Sequence, residues 1–260
     1  MSIQATQRMF AILEALADET EGLRLTEIGR RVGLHKSTVS RFLASMERRG
    51  YVEKLEDKGI FRLGLRFVEL SSVYLNKLEL KTEAQPFLQR LAALSTQAVY
   101  LAVPDQAEII YIDKVESFQS IRKYSIIGRR APAHCTALGK ALLADLCDHD
   151  LVALFRGTEL KAYTSNTITD FDRLRRELEA VRQRGWAEDD QEYEPELRCI
   201  AAPIYDYRSR AIASVSTSGP TRILRKREVG RFAGYVMEAA AGISRRMGHY
   251  TLDRSTAAPS

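Results

Sequence analysis

Residues 24 to 49 read RLTEIGRRVGLHKSTVSRFLASMERR, and the spacing of their apolar side chains decides the fold of the N-terminal region. Apolar residues recur at the i, i+3, i+4, i+7 positions of an amphipathic helix, in two runs separated by Gly33. The runs are Leu25, Ile28 and Val32, then Val39, Phe42, Leu43 and Met46. Gly33 tolerates the positive φ of a tight turn, and the hydroxyl of Thr26 is expected to cap the first helix. The pattern predicts a helix-turn-helix.

The second predicted helix presents a short, polar and basic face opposite its apolar stripe. The stretch holds seven lysines and arginines against two glutamates, a net charge of +5 that equals the net charge of the whole chain. Such a helix suits the DNA major groove, because arginine can form bidentate bonds to guanine and small side chains allow close approach. The candidate DNA contacts are Thr26, Lys36, Ser37, Thr38, Ser40 and Arg41. The alternative is a solvated helical hairpin with basic decoration.

A predicted wing follows the second helix and favours the DNA-binding interpretation. Two extended runs flank residues 56 to 59 (EDKG), which have turn chemistry. Lys58, at the tip of this hairpin, is a candidate contact to backbone phosphate. With an amphipathic helix over residues 3 to 17, residues 1 to 64 are expected to form a winged helix-turn-helix DNA-binding domain.

Length and composition predict a soluble protein of two domains. The chain has 260 residues, 45% hydrophobic and 28% charged, and no apolar run approaches the length of about 18 residues that a membrane span needs. The first 20 residues carry four charged side chains, so neither a secretory signal nor a membrane partner is expected, and the location should be cytoplasmic. Cys135, Cys147 and Cys199 show no CxxC spacing, so we expect reduced thiols, no metal site and no other cofactor.

The pattern changes beyond the predicted wing. Residues 65 to 80 predict a linker helix whose apolar stripe needs a partner, which a second subunit can supply. The next helix places Pro86 in its first turns. The later elements are strands at 98–103 and 109–115, helices at 136–147 and 170–184, strands at 200–205 and 210–216, and a helix at 229–247. Residues 81 to 250 should therefore form an α/β domain, an antiparallel sheet flanked by helices, followed by a loose tail over residues 251 to 260.

The loop from Gly128 to Lys140 (GRRAPAHCTALGK) is a candidate anion site. Glycine and proline shape a loop that delivers the start of a helix. There, Thr136 and the free N–H groups of Ala137 and Leu138 can receive a carboxylate. The alternative is a helix that is merely well capped.

Small polar residues on predicted strands form a second set of candidates. Ser216 and Ser218 alternate on one strand, so their side chains point the same way, and Cys199 begins a neighbouring strand. Together with Asp189, these groups can line a pocket for a small polar molecule. The alternative is that they are ordinary hydrogen-bonded core residues.

An enzymatic interpretation has weaker support. His134, Cys135, Cys199 and Asp189 contain the components of a thiol nucleophile with a base and an orienting acid. No spacing requires that arrangement, and the GxSxG, GxxxxGK[ST], HExxH and GxGxxG motifs are absent. The chain is therefore expected not to be an enzyme.

Taken together, these stretches resemble the isocitrate lyase regulator (IclR) family of bacterial transcription factors over nearly the whole chain. The sequences that carry the resemblance are LTEIGRRVGLHKSTVSRFLASMERRGYVE, IIYIDKVES, IRKYSIIGRRAPAHCTALGKALLA, GWAEDDQEYEPELRCIAAPIYD and SVSTSGP. Within the family, YSIIGRRAP is most similar to regulators of sugar-acid catabolism.

The resemblance implies a homodimer or a dimer of dimers, and a C-terminal domain of GAF-like fold that binds a small effector. By position, the effector carboxylate would meet the backbone at Ala137 and Leu138. The pocket would be lined by Asp189, Leu197, Cys199, Ser216 and Ser218, with Leu197 as an apolar wall. Two positions depart from the family, because Glu196 stands where glycine is common and His35 where serine or proline is common.

The expected function is that of a DNA-binding regulator, repressor or activator, of a catabolic operon. Its partners would be a near-palindromic operator in double-stranded DNA and a small organic acid, either a sugar acid or a 2-oxo acid. Two alternatives come from other classes: a metabolic enzyme on a GAF-like domain with an accessory DNA-binding head, and a ligand-independent DNA-binding protein.

Overall fold

The computed structural model describes residues 3–19, 21–55, 58–70, 79–116 and 127–249. The chain divides into two compact units, Met1–Lys77 and Leu78–Ser260. Residues 66 to 70 of the expected linker helix are helical. Its remainder up to residue 78, the wing-tip residues 56 and 57 and the expected tail lie outside the described residues.

The N-terminal unit is a winged helix-turn-helix, as the sequence predicts. Its elements are α1 (Ile3–Ala17), β1 (Leu23–Arg24), α2 (Leu25–Val32), α3 (Lys36–Glu47), β2 (Val52–Leu55) and β3 (Ile60–Leu63). The strands form an antiparallel sheet in the order β1-β3-β2, in which β2 and β3 are the wing. Ile12, Ile28, Val39 and Leu43 are at most 1% exposed, so the three helices close around one apolar core.

The turn and the cap of α2 differ in how well the sequence predicts them. Gly33 has φ +65° and ends α2 in the left-handed conformation, as expected for the turn. The prediction that Thr26 caps the helix is wrong. Strand β1 runs directly into α2, so Arg24 is the capping position, and its N–H donates to Glu27 Oε2 at 2.7 Å. Thr26 lies inside the first turn with an exposed side chain.

The second unit is built on a six-stranded antiparallel sheet in the order β6-β5-β4-β9-β8-β7. Its helices are α4 (Glu79–Ser95), α5 (Ala137–Leu143), α6 (Asp148–Leu154), α7 (Phe171–Arg184) and α8 (Val229–Arg246). Its strands are β4 (Ala98–Asp105), β5 (Glu108–Val115), β6 (Arg130–Pro132), β7 (Ala187–Asp190), β8 (Leu197–Tyr205) and β9 (Ala211–Pro220). The expected α/β domain with an antiparallel sheet is confirmed.

The sheet separates two apolar cores, because successive strand residues point to opposite faces. On one face, α4 and α8 pack through residues such as Leu88 and Val236 against Val99 and Val215. On the other face, α5 and α7 pack through residues such as Leu142 and Leu174 against the strands. The side chains of Tyr100 and Ala201 point to this second face, where they pack in the same core as α5 and α7.

Three boundaries depart from the sequence expectation. Helix α4 already includes Glu79, so Pro86 lies inside it, and burial of Leu80 and Ala84 against the core stabilises the turns before the proline. The helix expected at 136–147 corresponds to α5 alone, which ends at Leu143, and a further helix, α6, begins at Asp148. Strands β6 and β7 were not expected. Each has at most four residues and lies at an edge of the sheet, so its sequence is too short to show the pattern of a strand.

Gly139 sets how closely α5 approaches the preceding loop. A Cβ at this position would lie 2.2 Å from Ala133 Cα and 2.3 Å from Ala133 O. We expect Gly139→Ala to lower the free energy of unfolding by about 1–3 kcal/mol, because the backbone must shift. Urea unfolding followed through the single tryptophan, Trp186, reports on this unit.

A matched control is Gly234→Ala in α8, since Gly234 is exposed and no atom lies within 4 Å of the added Cβ. That variant should be unchanged or gain up to about 1 kcal/mol, because alanine has the higher helix propensity. Equal urea midpoints for the Gly139 variant and the wild type would contradict the close packing of α5.

Candidate functional site

The predicted DNA-contacting residues lie on the surface of the N-terminal unit. Thr26, Lys36, Ser37, Ser40, Arg41 and Lys58 are exposed and Thr38 is partly exposed. The opposite side of α3 is buried through Val39, Leu43 and Met46. Among the described residues, Lys36 and Arg41 have no ion pair or side-chain hydrogen bond. Both cations are therefore available for an external anion such as DNA.

His35 occupies the capping position of α3 without making a side-chain cap. Its carbonyl accepts from the N–H groups of Thr38 and Val39 at 2.9 and 3.1 Å, and its ring Nδ1 lies 3.1 Å from Ser37 Oγ. A serine at this position could accept from a first-turn N–H through its own hydroxyl. The imidazole instead engages the hydroxyl of a candidate DNA contact.

A cavity of about 290 Å³ lies within the second unit, close to the lower end of the range for small-molecule sites. The lining includes every predicted effector contact, namely Ala137, Leu138, Asp189, Leu197, Cys199, Ser216 and Ser218. These residues come from α5, β7, β8 and β9. Four separate segments of the chain thus supply one concave surface.

Strand register explains how these polar groups meet. Asp189 is the Cα partner of Cys199, and Cys199 is the partner of Ser218, so the three lie side by side across β7, β8 and β9. Cys199 Sγ lies 3.0 Å from Ser218 Oγ. Ser216 is two residues before Ser218 on the same strand and points to the same face, as the alternation predicts.

Asp189 is the buried acid of the cavity, with only 2% of its surface exposed. Its Oδ1 accepts from the N–H groups of Glu192 at 2.7 Å and Tyr193 at 3.4 Å. Burial raises the pKa of this carboxyl to about 7, although the two N–H donors and the nearby Lys140 act to lower it. Close to neutral pH the group can therefore either donate or accept a proton.

The contribution of Asp189 to the free energy of unfolding should consequently fall as pH rises between about 4 and 7. In this window the folded protein holds the Asp189 proton, whereas the unfolded chain, with an aspartate pKa near 3.9, has released it. The slope is at most about 1.4 kcal/mol per pH unit. Asp189→Asn removes the titration, so urea midpoints measured through Trp186 should vary less with pH in the variant. Parallel curves for the two proteins would contradict a buried carboxyl that stays protonated.

Three tyrosines, Tyr100, Tyr111 and Tyr193, line the same cavity and were missed by the sequence analysis. Tyr100 and Tyr111 meet edge to face with ring centroids 5.6 Å apart. Burial raises the pKa of Tyr100 to about 12, so its hydroxyl stays protonated and can donate a hydrogen bond. Alternation along β4 and β5 was a usable signal, but it locates the cavity only once the strand order is known.

Cations at the cavity also escaped the sequence analysis. The lining includes Lys114, Arg129, Arg130 and Arg222 against the acids Asp189 and Glu194. Arg130 is neutralised by Asp105 and Glu108. Arg129 and Arg222 form no ion pair within the described parts of the chain. The lining therefore favours an anionic ligand over a cationic one.

The departure at Glu196 has a backbone explanation. Glu196 has φ +59°, a left-handed conformation that glycine adopts without strain. Its carbonyl accepts from Thr221 N at 2.8 Å, which links the start of β8 to the segment that follows β9. A glycine would suit this turn, and this chain adopts the left-handed conformation with a larger residue.

The thiols and the buried histidine do not have the properties of a catalytic set. Burial raises the pKa of Cys135 and Cys199, so both remain neutral thiols near pH 7. Burial lowers the pKa of His134, whose Nε2 lies 3.1 Å from the carbonyl of Lys161. Within the described residues no group of three His, Cys, Asp or Glu side chains could hold a metal ion.

The chain has a winged helix-turn-helix unit and a second unit with a cavity. This combination is typical of transcriptional regulators that have a DNA-binding domain and a second domain in one chain. No described helix has the length and apolarity needed to cross a membrane. Family models make the class specific, because the IclR helix-turn-helix domain matches residues 5–56 and the bacterial transcriptional regulator IclR C-terminal domain matches residues 72–245. The chain belongs to the IclR family of bacterial transcriptional regulators.

Individual relatives agree with the family. The HTH-type transcriptional regulator KdgR of Escherichia coli (strain K12) is 36% identical over 249 residues, which cover 96% of this chain and 94% of KdgR. The crystal structure of the Thermotoga maritima IclR matches with a TM-score of 0.81 at 30% identity, over 95% of this chain and all of that one. An IclR homologue from Microbacterium hydrocarbonoxydans, complexed with 4-hydroxybenzoate, matches with a TM-score of 0.82 at 26% identity, over 95% of this chain and 99% of that one.

Proposed function

We propose that this regulator binds its operator with an affinity set by a small organic acid, either a sugar acid or a 2-oxo acid, held in the cavity of the second unit. The observation that carries the proposal is the convergence of seven candidate contacts, selected from distant segments of the sequence, on one cavity. Its target would be a catabolic operon, and the relationship to KdgR supports the sugar-acid branch of the family.

The lining suits a hydroxylated acid. Ser216, Ser218 and the hydroxyls of Tyr100 and Tyr111 can exchange hydrogen bonds with several ligand hydroxyls. Arg129 and Arg222, which form no ion pair with any described residue, favour the carboxylate. The backbone at Ala137 and Leu138 is the proposed place for that group. A protonated Asp189 adds a donor without adding negative charge. The homologue that holds 4-hydroxybenzoate supports an acid as the ligand class.

The DNA-binding half of the proposal rests on α3. In a homodimer, or a dimer of dimers, two copies of α3 would enter successive major grooves of a near-palindromic operator. We propose residues 1–64 as the DNA-binding domain, 65–80 as the linker helix that supplies the dimer contact, 81–250 as the effector domain and 251–260 as a tail. The acid changes operator affinity only if it binds one arrangement of the dimer better than another.

The two rival functions are less well supported. An enzyme that uses Cys199 would need a reactive thiolate, whereas burial raises the pKa of this thiol. A ligand-independent DNA-binding protein leaves the cavity, with its convergent polar groups, without a role. We therefore propose a non-catalytic regulator that acts in the cytoplasm, where its DNA target is located.

Isothermal titration calorimetry of the full chain with a panel of sugar acids and 2-oxo acids tests the ligand class. One acid should bind saturably, and Ser218→Ala should weaken it by about fivefold through loss of one hydrogen bond. Thr217→Val is the matched control, because Thr217 alternates to the other face of β9, away from the cavity, and its buried Oγ1 has no partner in the described structure. Absence of binding for every acid would contradict the proposal.

A further inference from the structure

Lys140 and Glu192 form an ion pair inside the second unit. Lys140 is 1% exposed, the Glu192 side chain is 9% exposed, and Nζ donates to Oε1. The other carboxylate oxygen, Oε2, is buried and accepts no hydrogen bond from any described group. Replacing a buried ion pair by apolar residues is often neutral or stabilising, so the pair needs an explanation other than stability.

The ion pair links two segments that line the cavity, although neither charged side chain faces the cavity. Lys140 belongs to α5, whose residues Ala137 and Leu138 line the cavity. Glu192 lies just beyond β7, between Asp189 of that strand and Tyr193, both of which also line the cavity. Neither member of the ion pair lines the cavity itself.

The turn over residues 189 to 193 depends on a few anchors. The Oγ1 atoms of Thr167 and Thr164 donate to the carbonyls of Glu192 and Gln191 at 2.6 and 2.7 Å. The N–H of Glu192 donates to Asp189 Oδ1 at 2.7 Å. The Asp189 carboxyl is thus held by the main chain of a residue whose side chain is held by Lys140.

We propose that the Lys140–Glu192 ion pair is a positioning element, which fixes the 189–193 turn against α5 so that the Asp189 carboxyl is presented to the ligand. The role of Asp189 as a ligand contact rests on the proposed function above. The positioning itself is a property of the free protein. Lys140 and Glu192 act through Asp189 and do not touch the ligand.

The charges around Asp189 give the proposal a signature that loss of packing does not produce. The charged groups with the largest effect on its carboxyl are Lys140 from α5 and Glu192 from its own turn. The thiols of Cys199 and Cys135 and the phenol of Tyr111, which are neutral near pH 7, also interact with the Asp189 carboxyl. The cavity lining further holds Lys114, Arg129, Arg130, Arg222 and Glu194. Lys140 lowers the pKa of Asp189 and Glu192 raises it, so neutralising each should shift this pKa in opposite directions.

The test is carbon-13 NMR titration of the Asp189 carboxyl in the full chain, with the signal assigned through Asp189→Asn. Lys140→Met should raise the pKa of Asp189 by about 1 pH unit and Glu192→Gln should lower it. Amide exchange at Glu192 and Tyr193 should accelerate by about tenfold in Lys140→Met, because the turn loses an anchor. Should Lys140→Met fail to fold, Glu192→Gln and the double variant, which removes both charges, give the same two readouts.

Arg175→Met is the matched control, because it removes a surface ion pair with Asp148 that does not border the cavity. It should move neither readout. Unchanged titration of Asp189 and unchanged amide exchange in folded Lys140 and Glu192 variants would overturn the proposal. A calorimetric arm with the same panel of sugar acids and 2-oxo acids separates the two ideas: if the wild type binds none of them while the NMR shifts occur, the proposed ligand class is wrong and the positioning stands.

Discussion

Replacing Arg41 with alanine is expected to weaken operator binding by about 1–3 kcal/mol, roughly 5- to 150-fold in dissociation constant. Arg41 is exposed on α3, opposite the stripe that is buried by Val39 and Leu43. Within the described residues its guanidinium has no partner that DNA would have to displace. An arginine in this position can bond to both acceptors of a guanine edge, and a methyl group cannot replace these bonds.

Fluorescence anisotropy on the operator and on random DNA of equal length distinguishes base reading from phosphate contact. A base contact is lost mainly on the operator, so the preference for the operator should shrink. A phosphate contact is lost equally on both DNAs, and that result would contradict a base-reading role for Arg41. Arg175→Ala, on an exposed helix of the second unit, should leave both affinities unchanged.

Replacing Asp189 with alanine is expected to abolish the effector response while operator affinity without effector stays within about twofold of the wild type. Asp189 belongs to the second unit, whereas the candidate DNA contacts belong to the N-terminal unit. The DNA contacts should therefore not change. Loss of a hydrogen bond from the protonated Asp189 carboxyl to the negatively charged acid costs about 1.5–3 kcal/mol, on the order of 10- to 150-fold in ligand affinity.

The measurement is the operator affinity of each protein across a concentration series of the acid that calorimetry identifies. Thr217→Val, whose side chain points away from the cavity, should respond like the wild type. A normal response in Asp189→Ala would remove this carboxyl from the site. Loss of operator binding without any acid would show instead that the variant is misfolded or that the two units are coupled more directly than we propose.

Local periodicity was sufficient to predict the N-terminal unit. The helical spacing of buried residues along α3 is a local signal, and so is the glycine at the turn that precedes this helix. Both can be read from the same short stretch of sequence. The cap of α2 was mispredicted because β1 leads into the helix two residues before Thr26. Arg24 is then the capping position, and Glu27, three residues later, accepts from its N–H. That strand pairs with β3, about 37 residues away in sequence, so short-range patterns do not reveal it.

Cavity residues on α5, β7, β8 and β9 were predicted from the sequence, whereas those on β4 and β5 were not. Ser216 and Ser218 follow from strand alternation, and Cys199 from its neighbouring strand. Tyr100 joins them because β4 is the neighbour of β9, which is a consequence of the strand order and not of local sequence. The Lys140–Glu192 ion pair could not be predicted from local patterns. Its members are 52 residues apart in sequence, and charged side chains are ordinarily expected to be exposed to solvent.

The most direct test of ligand-controlled DNA binding is the anisotropy of the full chain on DNA from upstream of its own and neighbouring genes, at fixed salt, with and without sugar acids and 2-oxo acids. We expect specific binding that one acid shifts by at least about fivefold, the lower end of typical allosteric coupling. Specific binding that no acid shifts would contradict the effector cavity while leaving the DNA-binding unit intact.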